Sequence, residues 1–227
     1  MKIGIALICC GLLVMSTGDI ALAQKAAAPK HATPKTQDAT KDAPANELPQ
    51  VAIQMANDYF NASQVMTADF VQIGADGRRS EGKLYVSKPG RLRFEYAQPA
   101  TMEIIADGVS VAIRDRKLKT QELYFINDTP LKFLLKTGVN LQRDVKIVSV
   151  SSDDKATTIN IEDTATFGGT SKIKLKFDNK NFSLKQWEVT DPQGYQTLIT
   201  LHNVDLNSTV DGNLFKIPSN TNFPFAN

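Results

Sequence analysis

Residues 81–99 read EGKLYVSKPGRLRFEYAQP, and from Arg91 to Tyr96 charge and bulk alternate without a break. Arg91, Arg93 and Glu95 fall on one side and Leu92, Phe94 and Tyr96 on the other. That is the period-two pattern of a strand with one wet and one dry face. The dry face is either an ordinary core surface or the wall of a cavity that holds something apolar. The same pattern recurs at 172–177, KIKLKF, where Lys172, Lys174 and Lys176 alternate with Ile173, Leu175 and Phe177; the three lysines are expected to face water.

Working outward, turn residues separate alternating runs at Asp76-Gly77, Asp107-Gly108, Asp178-Asn179 and Gln193-Gly194, where tight hairpins need residues tolerant of positive φ. Gly168-Gly169 reads as a loop. Counting runs gives about eleven strands: 66–73, 80–87, 91–97, 102–106, 109–114, 119–125, 143–151, 156–162, 171–178, 184–190 and 195–204. Before them stands an amphipathic helix with Asn46 as cap and Pro49 in its first turn. Its expected apolar stripe is Val51, Ala52, Met55, Ala56, Tyr59 and Phe60. A second short helix is expected at Thr129–Lys136, TPLKFLLK. The fold class is therefore α+β: a curved antiparallel sheet of about eleven strands forming a half-open β-barrel, with the N-terminal helix and the short central helix as a lid. Two such helices look too small to plug the concavity, which points to a cavity.

The N-terminal 23 residues, with Lys2, an apolar run from Ile3 to Met15 and Ala21-Leu22-Ala23 before Gln24, read as a secretory signal peptide. Both cysteines, Cys9 and Cys10, fall inside it, so no thiol or disulfide chemistry is expected of the mature chain, and a periplasmic location is. Residues 24–46 hold no large apolar side chain and read as a disordered tether rich in Ala, Pro and Lys. Residues 47–227 form the folded domain. The chain's net charge of +2 resides in the leader and tether, so the balance gives no reason to expect nucleic acid.

No constellation for catalysis emerges. His31 lies in the tether and His202 alone in a strand; no His or Cys pair has zinc spacing; no glycine-rich loop opens a helix. No catalytic residue, metal or cofactor is expected, and the chain does not read as an enzyme.

Several segments in order carry a resemblance: ADFVQ (68–72), GKLYVSKPGRLRFEY (82–96), Gln98-Pro99, IIADG (104–108), TPLKFLL (129–135), EVTDPQGYQTLITLHNV (188–204) and NLFKIP (213–218). Together, from about 48 to 218, they resemble the periplasmic outer-membrane lipoprotein carriers of LolA type. The resemblance implies a half-barrel with a helical lid, acting as a monomeric chaperone. It would take triacylated lipoprotein cargo from an inner-membrane ABC-type release complex and pass it to an outer-membrane receptor. It also implies an acyl-chain cavity at Leu84, Val86, Leu92, Phe94, Tyr96, Met102 and Ile104, lid contacts at Leu131, Phe133 and Leu134, and a lid latch at Lys88, before Pro89. The family typically has arginine at that latch position; lysine lacks the planar fork, and Arg91 or Arg93 are candidate helpers. Phe94 stands where many members have tryptophan. The alternative is a periplasmic protein that binds or transports free lipid or glycolipid.

Overall fold

The computed structural model describes residues 47–130 and 132–219. The expected signal peptide and tether, the Asn46 cap, Leu131, and Phe223 and Phe225 lie outside them. Helix α1 (Glu47–Asn61) leads into six strands, β1 (Val65–Ile73), β2 (Arg79–Ser87), β3 (Arg91–Tyr96), β4 (Met102–Asp107), β5 (Ser110–Asp115) and β6 (Thr120–Phe125). After a connection containing the short helix α2 (Leu141–Asp144) come β7 (Lys146–Ser152), β8 (Ala156–Thr166), β9 (Gly169–Asp178), β10 (Leu184–Thr190) and β11 (Gln196–Asp205). Every neighbouring pair is antiparallel, in the spatial order β6-β5-β4-β3-β2-β1-β11-β10-β9-β8-β7.

That order fixes where the connection between the two halves of the sheet must run. Two meanders spread in opposite directions from the central β1–β11 pair, so β6 and β7 end up as the two outer edges. The connection 126–145 runs from one edge to the other and has to cross the open face of the curved sheet. Hairpins elsewhere are short, as the turn residues predict; Phe167-Gly168 makes the β8–β9 turn, with Gly168 at φ +85°.

Alternation carries through to burial. Leu92, Phe94 and Tyr96 of β3 and Ile173, Leu175 and Phe177 of β9 are buried on the concave side, while Lys172, Lys174 and Lys176 are exposed. Gly82 marks the closest approach of β2 to β3: a Cβ there would stand 2.0 Å from the Glu95 carbonyl oxygen. Gly90, at φ +73°, touches the next hairpin turn, and a Cβ would meet Gly108 Cα at 2.7 Å.

The helices differ from expectation in two ways. Residues 132–135 form turns rather than the expected helix, with the Lys132, Leu135 and Lys136 N–H groups each bonding three residues back. Phe133, Leu134 and Leu135 are all buried; in a helix, three adjacent side chains would fan around most of the circumference. The short helix instead follows at α2, where the Asn140 side chain accepts from the Arg143 N–H at 3.1 Å. In α1 the buried stripe is Ala52, Ile53, Ala56, Asn57 and Phe60, with Tyr59 half-buried, whereas Val51 and Met55 are 55% and 41% exposed. The helix is rotated from the expected face because Asn57 turns inward to bond the connection.

Candidate binding site: the capped concave face

The concave face is one continuous apolar surface. Of the residues expected to line a cavity, Leu84, Val86, Leu92, Phe94, Tyr96 and Ile104 are buried, and Met102 packs half-buried against them. Phe70 stands edge-on to Phe94 (ring centroids 5.0 Å apart), and Phe94 edge-on to Trp187 (6.4 Å). The Tyr96 hydroxyl donates to Gln72 Oε1 at 2.8 Å, and burial pushes its pKa up.

The expected open concavity is filled. The space left beneath the end of α1 is about 40 Å³, bounded by Phe60, Met66, Leu84, Val86, Lys88, Leu92, Leu134 and Trp187 among others. That is room for no more than a few water molecules. Three of the predicted cavity residues, Leu84, Val86 and Leu92, bound this space; Phe94, Tyr96, Met102 and Ile104 lie elsewhere in the packed interior. What fills the concavity is α1 together with the irregular connection: Phe60 packs edge-on against both Phe133 and Phe177, each at 5.9 Å.

Polar bonds fasten this cap. Lys88 Nζ donates to the Phe60 carbonyl in the last turn of α1, a position where cations suit the helix dipole. Burial lowers the pKa of this amine. Two asparagines one turn apart on α1 grip the connection. Asn57 accepts from the Leu141 N–H (2.9 Å) and donates to Gln142 Oε1 (3.0 Å); Asn61 donates to the Val139 carbonyl (2.9 Å) and accepts from the Val139 N–H (2.8 Å). The Gly90 N–H donates to the Leu135 carbonyl at 2.8 Å. At the far rim, Lys132 Nζ reaches Asp163 (2.9 Å) and the Ala165 carbonyl (2.9 Å), joining the connection to β8. Within the connection, burial of Asp144 acts to raise its pKa, but hydrogen bonds from Arg143, Lys136 and the Asn140 N–H outweigh it and hold the carboxyl down to about 2.

Arg91 and Arg93, the candidate helpers, do not share this bond. They stand on the convex face, where Arg93 donates to Glu103 (3.0 Å) and to the Leu214 carbonyl (3.1 Å), and Arg91 lies over the Phe215 ring. Sequence reasoning also left Asn57, Asn61 and Trp187 unassigned. Two amide side chains four residues apart inside an apolar stripe were the available signal for the asparagines.

Fold and site together define a class: half-open antiparallel barrels whose apolar concave face is closed by a polar-fastened cap. Among the described residues no helix is long and apolar enough to cross a membrane. The family model described as outer membrane lipoprotein carrier protein LolA matches residues 61–218, and the chain belongs to that family. The outer-membrane lipoprotein carrier protein of Leptothrix cholodnii is 25% identical over 63% of this chain and 68% of its own length. That of Legionella pneumophila strain Corby is 28% identical over 74% and 85%. The crystal structure of a LolA superfamily protein from Nitrosomonas europaea, at 10% identity, aligns with a TM-score of 0.43 over 74% of this chain and 97% of that one.

Proposed function

We propose that this chain is a periplasmic carrier that shelters the acyl chains of triacylated lipoproteins between its concave sheet and its cap. The observation that carries this reading is the closure of a continuous apolar face by side chains held through a few separable polar bonds. An acyl chain of about fourteen carbons gains roughly 11 kcal/mol on leaving water. It cannot enter 40 Å³, so loading has to displace Phe60, Phe133 and Leu134 from the sheet. Cargo burial then replaces cap burial, and the difference leaves an affinity that can be reversed at delivery. In this scheme Leu84, Val86, Leu92, Phe94, Tyr96, Met102 and Ile104 form the acyl-contacting wall. Phe133 and Leu134, with Leu131, form the lid, and Lys88 is its latch. The release complex at the inner membrane supplies the cargo and an outer-membrane receptor accepts it; the carrier works as a monomer and needs no reacting group.

The test is native mass spectrometry of the protein isolated from periplasm without detergent, followed by transfer to outer-membrane vesicles. Bound acylated protein, delivered only when the receptor is present, is the expected result. Free phospholipid or glycolipid as the sole occupant would favour the alternative reading. An empty protein that takes up neither from inner-membrane vesicles supplied with the release complex and ATP would make the concave face merely a core.

A further inference from the structure

Helix α1 faces the sheet with a side that its own sequence pattern does not favour. Leu48, Val51 and Met55, spaced three and four residues apart, form a line of exposed aliphatic side chains, while Asn57 is buried. At about 100° per residue, that line and the buried line Ile53, Asn57 and Phe60 lie on opposite sides of the helix. Ala52 and Ala56, both buried, stand between the two lines on one flank. On the other flank is a narrow polar arc of Gln50, Gln54 and Asp58, where Gln54 Nε2 donates to Asp58 at 2.8 Å. A helix that covers a core ordinarily turns its apolar arc inward and its polar arc to water. Rolling α1 by about 100° would restore that arrangement, bringing Ala52, Met55 and Tyr59 to the sheet and turning Asn57 out.

Polar bonds set the observed roll: Asn57 and Asn61 hold residues 139–142, and Lys88 holds the Phe60 carbonyl. Two features suit the helix to turn once they part. The alanines between the two lines are the smallest side chains at the contact, so the surface that passes over the sheet during a roll carries no bulk. Phe177 already receives both neighbouring rings edge-on, Tyr59 at 5.8 Å and Phe60 at 5.9 Å, so withdrawing Phe60 leaves Tyr59 against it. We propose, building on the carrier reading, that α1 rolls when acyl chains lift the connection, and that Leu48, Val51 and Met55 then join the acyl-contacting surface. Lifting 139–142 takes away the partners of both asparagines, and the helix relaxes to the orientation its amphipathic pattern dictates. Phe60 leaves the interior and makes room, and the outer aliphatic line supplies the surface that closes over the cargo.

The test uses two variants of the full chain and a fluorescent triacylated peptide. Val51→Gln with Met55→Gln places a good helix former at two exposed positions, so the urea midpoint of the empty protein should match the parent. Its affinity for the peptide should nevertheless fall about tenfold, because two apolar contacts of the loaded state are lost. In Met55→Cys, saturating peptide should slow alkylation of residue 55 about tenfold, read by peptide mass. Unchanged affinity in the glutamine variant would overturn the roll, as would alkylation that is equal or faster with peptide bound, the sign of a helix that stays or lifts away whole. A urea midpoint that falls along with the affinity would also overturn it, by making both residues part of the empty fold's packing. Failure of the parent to bind the peptide at all would overturn the carrier reading itself and the roll with it.

Discussion

Lys88 is the smallest unit on which the closed state turns. Its amine satisfies the Phe60 carbonyl at the end of α1 from within a half-buried position beside the interior space. Replacing it with Met keeps the apolar stem and removes the bond. Lys88→Met should lower the stability of the empty protein by about 1–2 kcal/mol, measured by urea unfolding, and should speed uptake of a fluorescent acylated peptide. A slower uptake would mean that the lysine serves loading rather than closure. Asp144 offers a pH-dependent check. Its carboxyl is depressed from 3.8 to about 2, so its contribution is present above pH 4 and lost as pH falls through about 2. Asp144→Asn should therefore destabilise at pH 6, and the difference from the parent should shrink between pH 4 and pH 2 in thermal melts.

At the scale of elements, the cap is two pieces of chain sewn into one. Asn57 and Asn61 bind residues 139–142 of a segment that lies about eighty positions away. Asn57→Ala would leave the buried Leu141 N–H without a partner, at a cost of about 1–3 kcal/mol. Hydrogen exchange should then accelerate together in the last turns of α1 and in 139–144; acceleration of only one would refute their coupling. The strands were legible because β3 and β9 write their faces into alternating residues, and the turn pairs bound them within a few positions. The cap was not. Phe133, Leu134 and Leu135 look like a helical patch, yet the need to bury all three on one surface selects irregular turns. The face that α1 presents likewise follows from Asn57, whose partners no local pattern could reveal. Lys88 came into view only through resemblance, as a residue before a proline, and its actual acceptor is the carbonyl end of α1.

For the whole molecule, loading and stability should move in opposite directions in different places. If the chain carries acylated cargo as proposed, a saturating triacylated peptide binds only the folded state and so should raise the melting temperature. The same peptide should speed amide exchange at 133–142, whose hydrogen bonds to α1 and to Gly90 must part. If the temperature rises with no change in cap exchange, the ligand sits outside the capped face. The strand order adds a mechanical consequence. The cap is no hinged door, because its ends continue directly into β6 and β7, the opposite edges of the sheet. It behaves as a drawstring: lifting its middle pulls on both rims, and spreading the rims pulls its middle taut. On the proposed carrier reading, swelling of the interior by cargo would be converted into tension along the connection between β6 and β7, and the sheet's own curvature would supply the recoil that draws the mouth shut once the load has gone.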